Sequence, residues 1–336
     1  MDAVRQLHWD AIVVDTHCDT LKCLSPYFTS NRDSMWSDRS STGLGERSTV
    51  GHVDIPRLKA GGVDCQIFAI SSLRERNPPY ALRTALHMLD LFYAECRKND
   101  DTITHATTHQ DILNAVQRGK IAALLSIEGA DVLEGEVGVL RMFYRLGVRM
   151  VGLVHSLRNQ LADGVTDART GGGLSEFGVQ VVKELNRLGV LIDVSHLNDA
   201  GFWDLLDVST QPIVASHSNS RSICDHVRNL TDDQIRALAD RGGVMGINFA
   251  PTFIHPTRTD VAHLVDHIDH IVKLVGVDCV GLGSDFDGIR STPLGLEDVS
   301  KLPNITQELV RRRYTETEIR KILGENHLRV WKDVVG

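Results

Sequence analysis

The chain has 336 residues, of which 42% are hydrophobic and 24% charged, and its 44 acidic against 36 basic side chains give a formal charge of -8. That length suits one α/β barrel without a second core, so a single domain over residues 1–336 is expected. The acidic balance argues against a nucleic-acid or anionic-lipid binder, and no stretch reaches the roughly 20 apolar residues of a membrane span.

The opening residues MDAVRQLHWD lack the basic start and apolar run of a secretory signal, which points to a cytoplasmic protein without membrane contact. Cysteines 18, 23, 65, 96, 224 and 279 show no CxxC spacing, and a reducing compartment would keep them as thiols.

Taken in chain order, short apolar runs begin at Ile12 (IVVDTH), Val63 (VDCQIFAI), Ile121 (IAALLSIE), Val148 (VRMVGLVH), Val190 (VLIDVSH), Pro212 (PIVASH), Val244 (VMGINFA) and Cys279 (CVGLGSD). Near-continuous β-branched runs of this kind suit parallel strands buried on both faces. Helical stretches separate them. Leu82, Ala85, Leu86, Leu89, Phe92, Tyr93 and Cys96 form one apolar stripe, and Leu174, Phe177, Val181, Val182, Leu185 and Leu188 form another. Thr231 with Gln234, and Thr315 with Glu318, have the spacing of capping boxes. Eight alternations of strand and helix predict a closed (βα)8 TIM barrel. The polar segment from Leu24 to Val50, with Phe28, Met35 and Trp36 inside it, reads as a long first βα loop that walls the substrate site. Gly324, Glu325 and Asn326 read as a helix cap ahead of Leu328, Val330 and Trp331.

Ionisable residues fall where the runs end. His17 and Asp19 follow the first, Glu128 ends the third, His155 the fourth, His196 the fifth, His217 the sixth and Asp285 the eighth. A (βα)8 barrel turns every strand's C-terminal end to the same side, so these residues should converge on one site. His17 and Asp19 alternate with Cys18, which on an extended strand aims both at the barrel mouth. Each of His17, His196 and His217 taken alone reads first as a hydrogen-bonded core residue. Together they supply the nitrogen and oxygen ligands zinc prefers. Burying Glu128 beside Asp19 and Asp285 would also cost several kcal/mol unless cations compensate. The inventory exceeds one four-coordinate zinc and fits two Zn2+ ions bridged by Glu128 and a water or hydroxide, which predicts hydrolytic chemistry.

At these residues the sequence resembles the membrane (renal) dipeptidase family of zinc peptidases, within the amidohydrolase-like superfamily of metallo-dependent hydrolases. The resemblance runs through DTHCDTL, GHVDIPRLKAGGVDCQIFA, SIEGAD, GVRMVGLVHS, LIDVSH, SHSNSRSICDHVRNLTDDQI, GLGSDFDG and GENHLRVW, almost end to end. It implies that His17 and Asp19 bind one zinc, that His196 and His217 bind the second, and that Glu128 bridges them. It implies further that His155 stabilises the oxyanion, that Asp285 carries the proton, and that Arg228 grips the substrate's C-terminal carboxylate through its planar fork.

The implied activity is dipeptide hydrolysis, including L-Xaa-D-Xaa substrates, by a metal-bridging hydroxide, and a homodimer is the implied assembly. The loop SLRNQLADG after His155 and the segment 24–50 depart from the animal enzymes, which bears on side-chain preference. The enzymatic alternative is a metal-dependent amidohydrolase acting on a cyclic amide, lactone or N-acyl amino acid. Many such barrels use a carboxylated lysine as bridge, and no lysine stands at a strand end here. A catalytically silent peptide-binding barrel is the third reading; a lost ligand would be its symptom, and all five are present.

Overall fold

A computed structural model of the chain describes residues 3–25, 42–71 and 80–336. Among the described residues nine parallel strands form the sheet: β1 (Val14–Cys18), β2 (Cys65–Ser71), β3 (Ile103–His105), β4 (Ile121–Glu128), β5 (Val148–Gly152), β6 (Leu191–Asp193), β7 (Ile213–Ser218), β8 (Val244–Ile247) and β9 (Val280–Leu282). Eight of them close a barrel in the order β1-β2-β4-β5-β6-β7-β8-β9, with β9 pairing back to β1 and β2 pairing directly with β4. These eight are the eight apolar runs. The unexpected strand, β3, pairs with the base of β4, through Ile103–Ile121 to His105–Ala123. Its three residues carry too short a pattern for periodicity to register.

Side-chain alternation divides the core in two. On β2, Cys65 and Ile67 face the barrel interior, while Phe68 and Ile70 face the surrounding helices. On β4, Ala122 and Leu124 point inward and Ala123, Leu125 and Ile127 outward. The helix Asn326–Val334 plugs the floor, packing Leu328, Val330, Trp331 and Val334 against Val14, Met150, Val214 and Val244.

The two apolar stripes become the helices Ala81–Lys98 and Glu176–Leu188, and both predicted capping boxes form. Leu86 departs from its stripe and is 46% exposed, because the helix buries Ala81, Ala85, Met88, Leu89, Phe92 and Cys96 on a face rotated away from it. Asn326 is not a cap. It sits at helical dihedrals after the π-helical turn Lys321–Glu325, and its amide donates to the carbonyls of Val277 and Val280, tying the plug to the entry of β9. All six cysteines are buried free thiols. Among the described residues, no helix is long and apolar enough to cross a membrane.

Candidate metal centre

Alternation alone would not assemble this site. Glu128 keeps the inward parity of Ala122 and Leu124 and so stands at the top of the barrel interior. His17 and His217, by contrast, share parity with Val13 and Ala215, which face outward. Strand pairing is irregular between Asp15 and Cys18 in β1 and between Ala215 and Ser218 in β7. Bulges of this kind re-aim a side chain, and here both imidazoles turn into the mouth. His196 and Asp285 reach it another way, from the turns after β6 and β9, at left-handed φ of 72° and 62°. Non-glycine residues held there store local strain, a recurring feature of functional sites. Asp19 is not on the strand as alternation suggested; β1 ends at Cys18 and Asp19 takes the N-cap position of the helix Thr20–Leu24.

The ring nitrogens converge on one oxygen. Glu128 Oε1 lies 3.1 Å from His196 Nε2, 3.4 Å from His17 Nε2, 3.6 Å from His217 Nε2 and 3.9 Å from His155 Nε2. Three overlapping triads (His17, Glu128 and His217; Glu128, His155 and His196; His17, Asp19 and Asp285) each offer ligand atoms within 4.8 Å of one another. His17 stacks on His217 with ring centroids 3.8 Å apart, and His155 stacks on His196 at 4.4 Å.

The donor set fits a metal. His17 Nε2 is buried with no hydrogen-bond partner, and His196 Nε2 and His217 Nε2 approach to 3.0 Å, a separation that requires a proton or a cation between them. Burial and then Arg228 hold the His196 imidazole well below its ordinary pKa, and burial and then His17 do the same for His217. Both are therefore neutral, the ligand form. Burial pushes the Glu128 carboxyl up, but Lys22, His155 and His17 outweigh it and hold the group well below the usual carboxylate range.

Two buried carboxylates that the sequence reading did not single out organise the backbone beneath these candidate ligands. Asp15 accepts from Ser284 N at 2.8 Å, Ser284 Oγ at 2.6 Å and His17 N at 3.3 Å, joining β1 to the turn that carries Asp285. Asp193 accepts from Ser195 N at 2.9 Å, Ser216 N at 2.8 Å and Ser216 Oγ at 2.5 Å, joining β6 to β7. Because the Ser216 hydroxyl donates to Asp193, it accepts from His217 Nδ1–H at 2.7 Å, which leaves His217 Nε2 bare for the mouth. The available signal was an aspartate inside an otherwise apolar run. Asn248, at the end of β8, donates to Asp285 Oδ2 at 2.9 Å and fixes that carboxylate. Burial, opposed by His17 and reinforced by Asp19 and Glu128, raises the Asp285 carboxyl to about 6. A carboxyl so placed can exchange a proton near neutral pH.

Lys22 is the largest omission. Its ammonium is buried against Asp19 Oδ1 at 2.5 Å and Glu128 Oε2 at 3.3 Å. The only sequence signal was a lysine one helical turn after Asp19.

Beside these residues opens a pocket of about 470 Å3, within the size range of small-ligand sites. Glu128, His155, His196, Arg228 and Asp285 line it together. Arg228 is buried, donates through Nη2 to the His217 carbonyl at 3.1 Å, and keeps Nε unpartnered. His226 presents it, accepting from Arg228 N at 3.2 Å. The walls come from Ala250–Phe253 after β8 and from Gly288–Ser291 after β9, with Ser156 from the loop after β5. The 24–50 segment does not contribute through its described residues, and its stretch 26–41, with Phe28, Met35 and Trp36, lies outside them.

The family model for membrane dipeptidase, peptidase family M19, matches residues 1–335. The chain superposes on the crystal structure of the dipeptidase AC, a metallopeptidase of family M19, with a TM-score of 0.87, 29% identity and coverage of 97% of this chain and 99% of that one. A Rhodobacter sphaeroides metallopeptidase liganded with a phosphinate mimic of the dipeptide L-Ala-D-Ala matches at TM-score 0.86 and 29% identity, covering 97% and 100%. The probable dipeptidase PvdM from Pseudomonas aeruginosa matches at TM-score 0.86 and 26% identity, covering 98% and 97%. With the fold, the strand-end histidines and a family match over almost its whole length in agreement, this chain belongs to the membrane dipeptidase family, peptidase family M19.

Proposed function

We propose that the protein is a zinc-dependent dipeptidase that accepts L-Xaa-D-Xaa substrates. The observation that carries this reading is one carboxylate oxygen ringed by three imidazole nitrogens at 3.1 to 3.6 Å, opening onto a pocket that also holds a buried arginine. His17 and Asp19 would hold one zinc, His196 and His217 the other, and Glu128 both. When bound, the ions supply Lewis acidity and lower the pKa of water so that hydroxide is available near neutral pH.

Arg228 receives the substrate's C-terminal carboxylate; its unpartnered Nε and planar fork suit two parallel contacts. His155, 37% exposed at the pocket edge, donates to the carbonyl oxygen as negative charge develops there. Asp285, held by Asn248, takes the proton from the attacking water and delivers it to the departing amine. A cyclic amide or lactone without a carboxylate substituent would leave Arg228 without an anionic partner, whereas an N-acyl amino acid would supply one. The L-Ala-D-Ala mimic bound by the Rhodobacter sphaeroides protein supports the stereochemical preference. Buried free thiols support a cytoplasmic location.

The test is steady-state hydrolysis of paired L-Xaa-L-Xaa and L-Xaa-D-Xaa dipeptides by zinc-loaded protein, with metal content measured alongside. Glu128→Gln should lose bound zinc and at least about a thousandfold in turnover, by loss of Lewis-acid and nucleophile chemistry together. Absence of turnover by protein holding two zincs across the panel would move the assignment to another amide or an ester.

A further inference from the structure

The two oxygens of Glu128 face different partners. Oε1 meets the Nε2 atoms of His17, His196 and His217, whereas Oε2 meets the ammonium of Lys22 at 3.3 Å. The same ammonium lies 2.5 Å from Asp19 Oδ1. Lys22 is 6% exposed and lines the substrate pocket together with Asp19 and Glu128. It therefore touches both carboxylates that one zinc would need.

We propose that Lys22 is an internal cation competing with the ion assigned to His17, Asp19 and Glu128, so that the two metal sites fill unequally. This rests on the two-ion reading above. An ammonium carries three donors and no acceptor, and it cannot share these carboxylate oxygens with a dication without direct charge repulsion. The site at His196, His217 and Glu128 Oε1 fills first. The other fills only when Nζ leaves Asp19 and Glu128, a movement its four-carbon stem permits because the side chain borders open pocket rather than packed core. With the metal absent, Lys22 supplies the positive charge that two buried carboxylates require. Second-site occupancy, and with it the hydrolytic activity, then follows the free metal concentration over a range set by this lysine.

Equilibrium zinc titration of the metal-free full chain against a chromophoric chelator reads stoichiometry and both dissociation constants, in the wild type, Lys22→Met and Lys22→Arg. Expected are two wild-type constants at least about a hundredfold apart. Lys22→Met should tighten the weaker one by about a hundredfold, the effect of removing one like charge beside a dication after allowance for screening and side-chain movement. The tighter constant should stay within about threefold, and Lys22→Arg, which keeps the charge, should preserve the gap. Metal-free Lys22→Met should also melt earlier and gain more from zinc than the wild type. Two equal wild-type constants, or a weaker constant unmoved by Lys22→Met, would overturn the proposal and leave the two-ion reading standing. A single bound ion in all three proteins would overturn both.

Discussion

Replacing Arg228 by methionine removes the charge and keeps most of the stem, so it isolates the guanidinium. The side chain is 6% exposed, so a carboxylate bound to it is largely shielded from solvent. Losing one member of such a pair costs about 3 kcal/mol, or roughly 150-fold in kcat/KM. On the proposed reading the contact would lie away from the scissile bond and persist from ground state to transition state, so most of the loss should appear in KM. The variant also loses the Nη2 donation to the His217 carbonyl, which could disturb the metal site for any substrate. Comparing a dipeptide with its C-terminal amide removes that common effect. The amide should be poor in the wild type and lose no more than about fivefold in Arg228→Met, while the acid falls by roughly 150-fold. Equal losses on both would show that Arg228 supports the site without meeting the carboxylate.

Two further perturbations test the scaffold. His267 is fully buried, accepting from Ser220 N and donating to the Ile254 carbonyl, and burial pushes its pKa from 6.5 to about 4. Between those values the unfolded chain binds a proton that the folded chain refuses, so stability falls as pH drops from 6.5 to 4, by about 3 kcal/mol from this group. Denaturant unfolding of His267→Gln should lose about 3 kcal/mol less stability across that window than the wild type; an unchanged pH dependence would reject the assignment. At Gly283 a methyl group would stand 1.8 Å from the Ser216 carbonyl and 2.8 Å from Thr16 Oγ1 inside the barrel. Gly283→Ala should therefore destabilise by roughly 3 kcal/mol and weaken metal binding by shifting the strand that carries His217. A melting temperature within a degree of the wild type would contradict that packing.

The eight strands were legible because a parallel barrel buries both faces of each, so the runs stand out without any partner sequence. Glu128 and the histidines were legible for a related reason: ionisable groups ending apolar strands are costly unless something gathers them, and parallel topology gathers strand ends on one side. Alternation along a single chain misread what depends on neighbours. It placed Asp19 on a strand that had already ended, and it aimed His17 at the mouth without showing that His17 and His217 share the parity of outward-facing Val13 and Ala215 and turn inward only through pairing irregularities against β2 and β8.

The same limit hid Lys22, whose partner Glu128 lies 106 residues away, and the pocket walls, which come from loops after β8 and β9 that carry no metal-ligand pattern. Asp15 and Asp193 looked like interruptions of apolar runs until the serines that donate to them came from adjacent strands. Sequence by itself determined which residues were available to the site and at which end of the barrel they would stand, since hydrophobic burial and chain direction are local properties. Tertiary structure decided which way each side chain points and which charges face one another, because bulges, left-handed turns and ion pairs exist only once distant strands are in register.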